Sequence, residues 1–210
     1  GDILNYQELM NALESCEFIF HFAAQADIGE SNTNPVKTIQ NNIFGTQNIL
    51  ECLKDSGSTK RLIFASTIYV YSALGSFYRV SKQACEKIIE EYNKQFGIEY
   101  TILRYGSLYG PRANEFNFIN DMLKQAVYDK KIIRKGNGEE IREYIHIDDA
   151  AELTVDSIKE KHKNSHLVIT GNQQIKIKDL LDMVNEIFEN KIDIVYEENT
   201  EAFHYKITPY

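Results

Sequence analysis

Cysteine is scarce. Cys16, Cys52 and Cys85 are odd in number, far apart and set among apolar neighbours, which excludes a disulfide-stapled scaffold and suits free thiols in a reducing compartment, the cytoplasm. Proline is scarce too, three residues in 210, and with 43% apolar and 26% charged content this excludes collagen-like, low-complexity and disordered chains. Positive charge is also short. Lys and Arg number 23 against 31 Asp and Glu, a net charge of −8 that repels phosphate backbones and argues against a nucleic-acid partner. The densest basic cluster, Lys159, Lys161 and Lys163, alternates with other polar residues and reads as a solvated helix end. No apolar run approaches the roughly 20 residues that span a bilayer. Residues 1–15 have neither the basic start nor the apolar stretch of a secretory signal, so neither export nor a membrane partner is expected.

What the chain does contain is an alternation of helical apolar spacing with short β-branched runs, the pattern of an α/β protein with a parallel sheet. Helices are expected at Tyr6–Ser15, Val36–Asp55, Arg79–Phe96 ended by Gly97, Phe116–Tyr128, Asp148–Lys159 and Lys178–Phe188. Strands are expected at Glu17–Phe22, Arg61–Ser66, Glu99–Tyr105, Ile132–Ile133, Ile141–Ile147 and Leu167–Thr170, with a hairpin turn at Gly136-Asn137-Gly138. A length of 210 suits one domain with a small appended lobe. The first is assigned residues 1–112 and 143–163, the second 113–142 and 164–210.

Tyr78 and Lys82 stand four apart, on one face of a helix. A nearby ammonium, helped by a bound oxidised nicotinamide, would let the phenol accept a proton near neutral pH. Chance alone produces about one such pair in a chain of this composition, so the neighbouring segments decide. Phe64-Ala65-Ser66-Thr67 is an apolar run that delivers hydroxyls to a strand's C-terminal end, where open α/β sheets hold their ligands. A turn or helix cap is an equally good use of those hydroxyls. Phe22-Ala23-Ala24-Gln25 offers small residues where a flat ligand must approach backbone. Leu103–Arg112 and Arg142–Asp149 complete the set. His21 and His146 lack ligand-like spacing and read as structural, so no metal is expected. Glu139 and Glu140 read as solvated residues after a hairpin.

These five segments in this order resemble the extended short-chain dehydrogenase/reductase superfamily, specifically its NAD-dependent nucleotide-sugar epimerase/dehydratase family, along essentially the whole chain. The resemblance implies a Rossmann-like doubly wound sheet, NAD at the sheet's C-terminal edge and a nucleotide sugar between that edge and the smaller lobe. It implies Asp2 and Ile3 beside the adenine, and Phe22, Ala23, Ala24, Gln25, Asn42, Ala65, Ser66 and Tyr105 along the cofactor. Thr67, Tyr78 and Lys82 match the family's hydroxyl, base and lysine, with Lys82 also on the nicotinamide ribose. Ser107 and Arg142 would meet the substrate, Arg142 gripping its diphosphate; a surface pair with Glu140 is the other reading of that arginine. Homodimerisation through helices 36–55 and 79–96 is implied as well.

Departures from the family pattern carry their own expectations. The first β-α-β unit, with the glycine-rich loop that cradles pyrophosphate, would precede Gly1. Its absence predicts an incomplete chain by roughly 60 residues and an apolar, unpaired edge at Glu17–Phe22. Only ten residues separate Thr67 from Tyr78, which requires a tight loop turning at Gly75. Ser107 stands where many relatives carry asparagine. Ile68-Tyr69 replaces the Asp-Glu pair of family dehydratases, which disfavours water elimination. The leading expectation is therefore a nucleotide-sugar epimerase. A reductase or decarboxylase of the same family, and a catalytically silent nucleotide-binding scaffold, remain as alternatives.

Overall fold

The computed structural model describes residues 1–56, 61–198 and 204–210. In chain order its elements are α1 (Tyr6–Leu13), β1 (Phe18–His21), α2 (Ile28–Thr33), α3 (Pro35–Ile39), α4 (Gly45–Ser56), β2 (Arg61–Thr67), α5 (Ser76–Phe96), β3 (Glu99–Tyr105) and β4 (Ser107–Tyr109). There follow α6 (Phe118–Tyr128), β5 (Lys131–Lys135), β6 (Ile141–His146), α7 (Ile147–Asp156), β7 (Ser165–Ile169), β8 (Gln174–Lys176), α8 (Ile177–Ile187) and β9 (Asp193–Glu197).

Four strands pair in parallel in the order β1-β2-β3-β7. The run Arg61-Leu62-Ile63-Phe64 is buried without alternation, as a strand covered on both faces requires. Leu62, Phe64 and Ile102 point into a core with Leu50 and Ile89, on the side of α1, α4 and α5. Ile63 and Leu103 point the other way, into a second core with Ile145, Ala150 and Ile169 from β6, α7 and β7. A third core, around Met122, Ile132 and Leu181, joins α6, β5 and α8. Among the described residues β1 pairs only with β2, and it leaves Phe20 and Phe22 exposed, the apolar edge that the sequence predicts.

Two expectations, the unbroken helix at 36–55 and the hairpin at 136–138, are corrected. The helix expected at 36–55 is one helical path in three parts, α3, a single π-helical turn at Gln40–Phe44, and α4. β7 pairs with β3 from Thr101↔Ser165 to Tyr105↔Ile169 and extends the main sheet. Residues 141–146 form β6 of a separate sheet with β4 and β8. Gly136-Asn137-Gly138 does not close a hairpin. β5 before it pairs in parallel with β9, while β6 after it pairs with β4 and β8.

The tight loop between Thr67 and Tyr78 is a short 3-10 turn, Ile68–Tyr71, followed by Gly75 at φ +106°. Only glycine holds that backbone without strain, and a Cβ there would stand 2.6 Å from the Tyr69 ring. Gly97, at φ +72°, closes α5 as expected. No helix among the described residues is long and apolar enough to cross a membrane.

Candidate active site

The C-terminal ends of β1, β2 and β3 open onto a cavity of about 580 Å³. Phe22, Ala24, Ala65, Ser66, Thr67, Tyr78, Lys82 and Tyr105 all line it, so eight of the sequence-predicted residues meet in one place. The alanines leave a flat slot, with the Phe22 and Tyr105 rings 6.3 Å apart at one side. The Tyr105 hydroxyl is shared with Thr154 Oγ1 at 2.5 Å. A second cavity of about 1120 Å³ lies beside the first, and Leu108 lines both. Ser107 and Arg142 belong to this larger one, with Arg134, Tyr69 and His204.

Tyr78 and Lys82 leave α5 on the side that faces the end of β2. Burial pushes the Tyr78 phenol up to about 12, against a hydrogen bond to Thr67 that pulls it down. Thr67 also accepts the Tyr69 N–H at 3.2 Å, so its hydroxyl caps the 3-10 turn and reaches the phenol at once. Lys82 donates to the Ala65 carbonyl at 2.7 Å and lies 4.7 Å above the Phe64 ring. Burial pushes its ammonium down to about 8. In the chain by itself the phenol is thus held protonated. The proton acceptor near neutral pH expected from the Tyr78–Lys82 spacing requires further positive charge at this cavity.

Other expected contacts resolve differently. The Asn42 amide, brought inward by the π-helical turn, is spent inside the protein. Its Oδ1 accepts the Gln25 N–H at 2.7 Å, and its Nδ2 donates to the Gln25 carbonyl at 3.0 Å and to Ser81 Oγ at 2.8 Å. Asn42 therefore shapes the loop after β1 and lines neither cavity. Asn42→Leu removes all three bonds and orphans a backbone N–H, so thermal melting is expected to show a loss of about 2–3 kcal/mol. Gln25 likewise contributes its backbone to that loop. Asp2, Ile3 and Ala23 line neither cavity. The Asp2 carboxylate accepts the Leu4 N–H, and Ile3 packs against the core that holds α4. Ser66 shows only part of itself to the slot, since its hydroxyl donates to Glu86 at 2.5 Å.

His21 is buried, bonded to Thr46 at 2.9 Å and pushed down to about 3 by burial and then by Lys82, which makes it a neutral structural residue. His146 caps α7, its Nδ1 accepting the Asp148 N–H. Arg142 is nearly buried, yet it donates to its neighbour's carbonyl, Ile141 at 2.8 Å, and stacks on the face of Tyr205 at 4.2 Å. The alternative partner, Glu140, is bound to Arg134 at 3.0 Å. Among the described residues no carboxylate pairs with Arg142. A desolvated guanidinium without an anion, in a cavity, is a recognition group for one.

Sequence reasoning did not assign a site role to Tyr69, His204 or Tyr205. Tyr69 hydrogen-bonds His204 Nδ1 at 2.5 Å and packs on Tyr205, with ring centroids 4.9 Å apart. Its position after Thr67 was visible, but the partners lie about 135 residues away and no local pattern announces them.

With this geometry in hand, comparison with known proteins is specific. Residues 1–170 match the NAD dependent epimerase/dehydratase family. The chain belongs to that family. A UDP-glucuronate 4-epimerase of Thermodesulfobacterium geofontis is 29% identical over 205 residues, spanning 90% of this chain and 63% of that protein. A putative UDP-glucose 4-epimerase of Methanocaldococcus jannaschii is 27% identical over 207 residues, 91% of this chain and 67% of that protein. Among solved structures, UDP-glucuronic acid 4-epimerase from Bacillus cereus in complex with UDP-glucuronic acid and NAD superposes with a TM-score of 0.91 at 28% identity, over 99% of this chain and 70% of that one. The fold of this family member is thus the Rossmann-type α/β fold of those epimerases.

Proposed function

We propose that this chain carries the catalytic groups and the substrate cavity of an NAD-dependent epimerase acting on a nucleotide sugar, and that the sugar is a UDP-sugar inverted at C4, as named for its relatives. The observation that carries the reading is the meeting of Thr67, Tyr78 and Lys82 in one slot, beside a cavity whose buried arginine has no carboxylate partner among the described residues. The residues present fit the cofactor. The small side chains of Ala24, Ala26 and Ala65 leave room for a flat ring, and the lysine and phenol are the groups such a ring would polarise. NAD, when bound, supplies the hydride acceptor and the positive charge that the phenol needs.

Tyr78 then takes the proton of the sugar hydroxyl, Thr67 holds that hydroxyl and the phenol in one hydrogen-bonded line, and Lys82 opposes the negative charge left on the phenol. When the proton returns, Tyr78 gives it back from the same position. Apolar walls from Phe22, Tyr105 and Ile147 keep water from the slot. Arg142 fixes the diphosphate in the larger cavity while the sugar ring turns between the two. A silent scaffold has no use for this arrangement, because a desolvated Lys82 costs folding free energy. The test is incubation with NAD and UDP-hexoses or UDP-hexuronates. Interconversion of C4 epimers by NMR with no net absorbance change at the nicotinamide wavelength supports the reading. Net reduction, or release of carbon dioxide, turns it into a reductase or a decarboxylase.

The reading includes a homodimer and a cytoplasmic setting. All three cysteines are free, which suits a reducing compartment. Val36, Ile39, Phe44, Phe77, Val80 and Phe96, on α3–α5 and the turn between them, stay exposed, and two copies of these packed helices would cover them. Val80→Glu is expected to shift the sedimentation profile from dimer to monomer at micromolar concentration. A wild-type profile that is already monomeric would remove the dimer from the reading.

A further inference from the structure

Tyr78, Lys82 and Glu86 recur every four residues on α5 and form one stripe facing the sheet. Three consecutive residues of β2 meet that stripe. Thr67 lines the slot together with Tyr78, the Ala65 carbonyl accepts Lys82 Nζ at 2.7 Å, and Ser66 Oγ donates to Glu86 Oε1 at 2.5 Å. The buried Glu86 carboxylate is in turn held by Arg104, whose Nε reaches Oε1 at 3.0 Å and whose terminal nitrogen reaches Oε2 at 2.6 Å. Arg104 is the register partner of Ser66 on β3. Its remaining terminal nitrogen donates at 2.6 Å to the hydroxyl of Tyr71, the last residue of the 3-10 turn. Glu86 therefore ties the helix, two strands and the loop above the slot to one carboxylate. Neither Glu86 nor Arg104 lines either cavity.

We propose that Glu86, locked by Arg104 and Ser66, is a positioning residue for the reaction, holding the helix that carries Tyr78 and Lys82 in register with Thr67. The proposal rests on the reading of Tyr78 and Lys82 as the base and its lysine. A buried ion pair contributes little to stability beyond what apolar residues of the same volume would give, and specifying one geometry is a use that justifies keeping it. The geometry matters because a displacement of about 1 Å in a reacting group can lower a rate about 100-fold. One residue of slip along α5 moves the stripe by about 1.5 Å. Glu86 also acts electrostatically. The groups around Lys82 are the neutral His21 from β1, the Phe64 ring and Ala65 carbonyl from β2, and Tyr78, Cys85 and Glu86 from its own helix. Of these, Cys85 and Glu86 are the groups that favour the ammonium, and Glu86 is the carboxylate.

The experiment compares Glu86→Gln and Ser66→Ala with the wild-type chain. The first readout needs no cofactor. In the chain carrying 13C at lysine Cε, the Lys82 resonance is the one absent from Lys82→Met, and its titration midpoint is followed by NMR. Glu86→Gln is expected to move that midpoint down by more than half a pH unit, and Ser66→Ala to leave it within 0.2 unit. The second readout is turnover with NAD and the UDP-sugar. Both variants are expected to lower kcat, Glu86→Gln at least ten-fold, with KM within about three-fold. If Glu86→Gln does not fold, Arg104→Lys, which keeps the charge and loses the two-point grip, takes its place in the turnover arm, with the same kcat loss expected. An unmoved Lys82 midpoint in folded Glu86→Gln, or unchanged kcat in the variants, overturns the proposal. A midpoint that moves as expected in a chain whose wild type converts no UDP-sugar supports the link from Glu86 to Lys82 and overturns the epimerase reading instead.

Discussion

Tyr78→Phe is expected to lower turnover about 1000-fold, the middle of the range for removal of a positioned general base, while UDP binding stays within about two-fold. That loss corresponds to about 4 kcal/mol of transition-state stabilisation. It falls on kcat because the phenol oxygen stands in the slot and not in the larger cavity that holds Arg142. The ring itself remains, so the packing that buries it is kept and melting should change little. The pH profile carries the same assignment. Turnover requires the Tyr78 proton to leave, which rising pH favours, and the Lys82 ammonium to stay, which rising pH opposes. Burial has pushed Lys82 down to about 8, so the rate is expected to decline above pH 8, far below the usual lysine range. Lys82→Met should abolish that alkaline decline along with most of the rate. A Tyr78→Phe chain that turns over within ten-fold of wild type would remove the phenol from its role.

How much of this could be read from the residues follows from how local each cause is. The β2 run Leu62-Ile63-Phe64 declares a strand buried on both faces because every position is apolar. Gly97 announces the end of α5 because only a left-handed residue closes the helix there. Tyr78 and Lys82 share a face by spacing alone, and the tight loop before them demands Gly75. What the residues do not declare is pairing at a distance. Gly136-Asn137-Gly138 marks a change of direction, but the partner of β5 arrives about 60 residues later as β9. The three-residue strands β4 and β8 are too short to show a period. Asn42 illustrates the same limit within the site. The family likeness sets Asn42 along the cofactor, whereas in the structure its whole amide is consumed by Gln25 and Ser81, bonds that depend on a π-helical turn that no local pattern marks. Glu86 is one more turn along the Tyr78–Lys82 stripe, and its meaning appears only once Arg104 and Ser66 arrive from two strands.

Arg142→Ala is expected to weaken UDP binding about 100-fold, measured by calorimetry on the chain without any sugar or NAD. The expectation follows from what surrounds the guanidinium. It is nearly buried, the Tyr205 ring covers one face at 4.2 Å, and Glu140, the acid that could have neutralised it, is engaged by Arg134. Desolvation has therefore already been incurred in the free protein, and an arriving diphosphate meets a fixed fork with little reorganisation left to do. A loss of about 2.7 kcal/mol for a 100-fold change lies within the 2–5 kcal/mol typical of truncating one partner of a buried charge pair. Arg142→Lys separates charge from shape. A point charge on a flexible stem keeps the attraction but not the planar two-point grip or the stacking on Tyr205, so about ten-fold of the loss should remain. Melting should rise or hold steady for Arg142→Ala, since an unpaired buried cation opposes folding. A variant that binds UDP as wild type does, in a chain that still folds, would move the diphosphate site away from Arg142 and with it the place of the sugar between the two cavities.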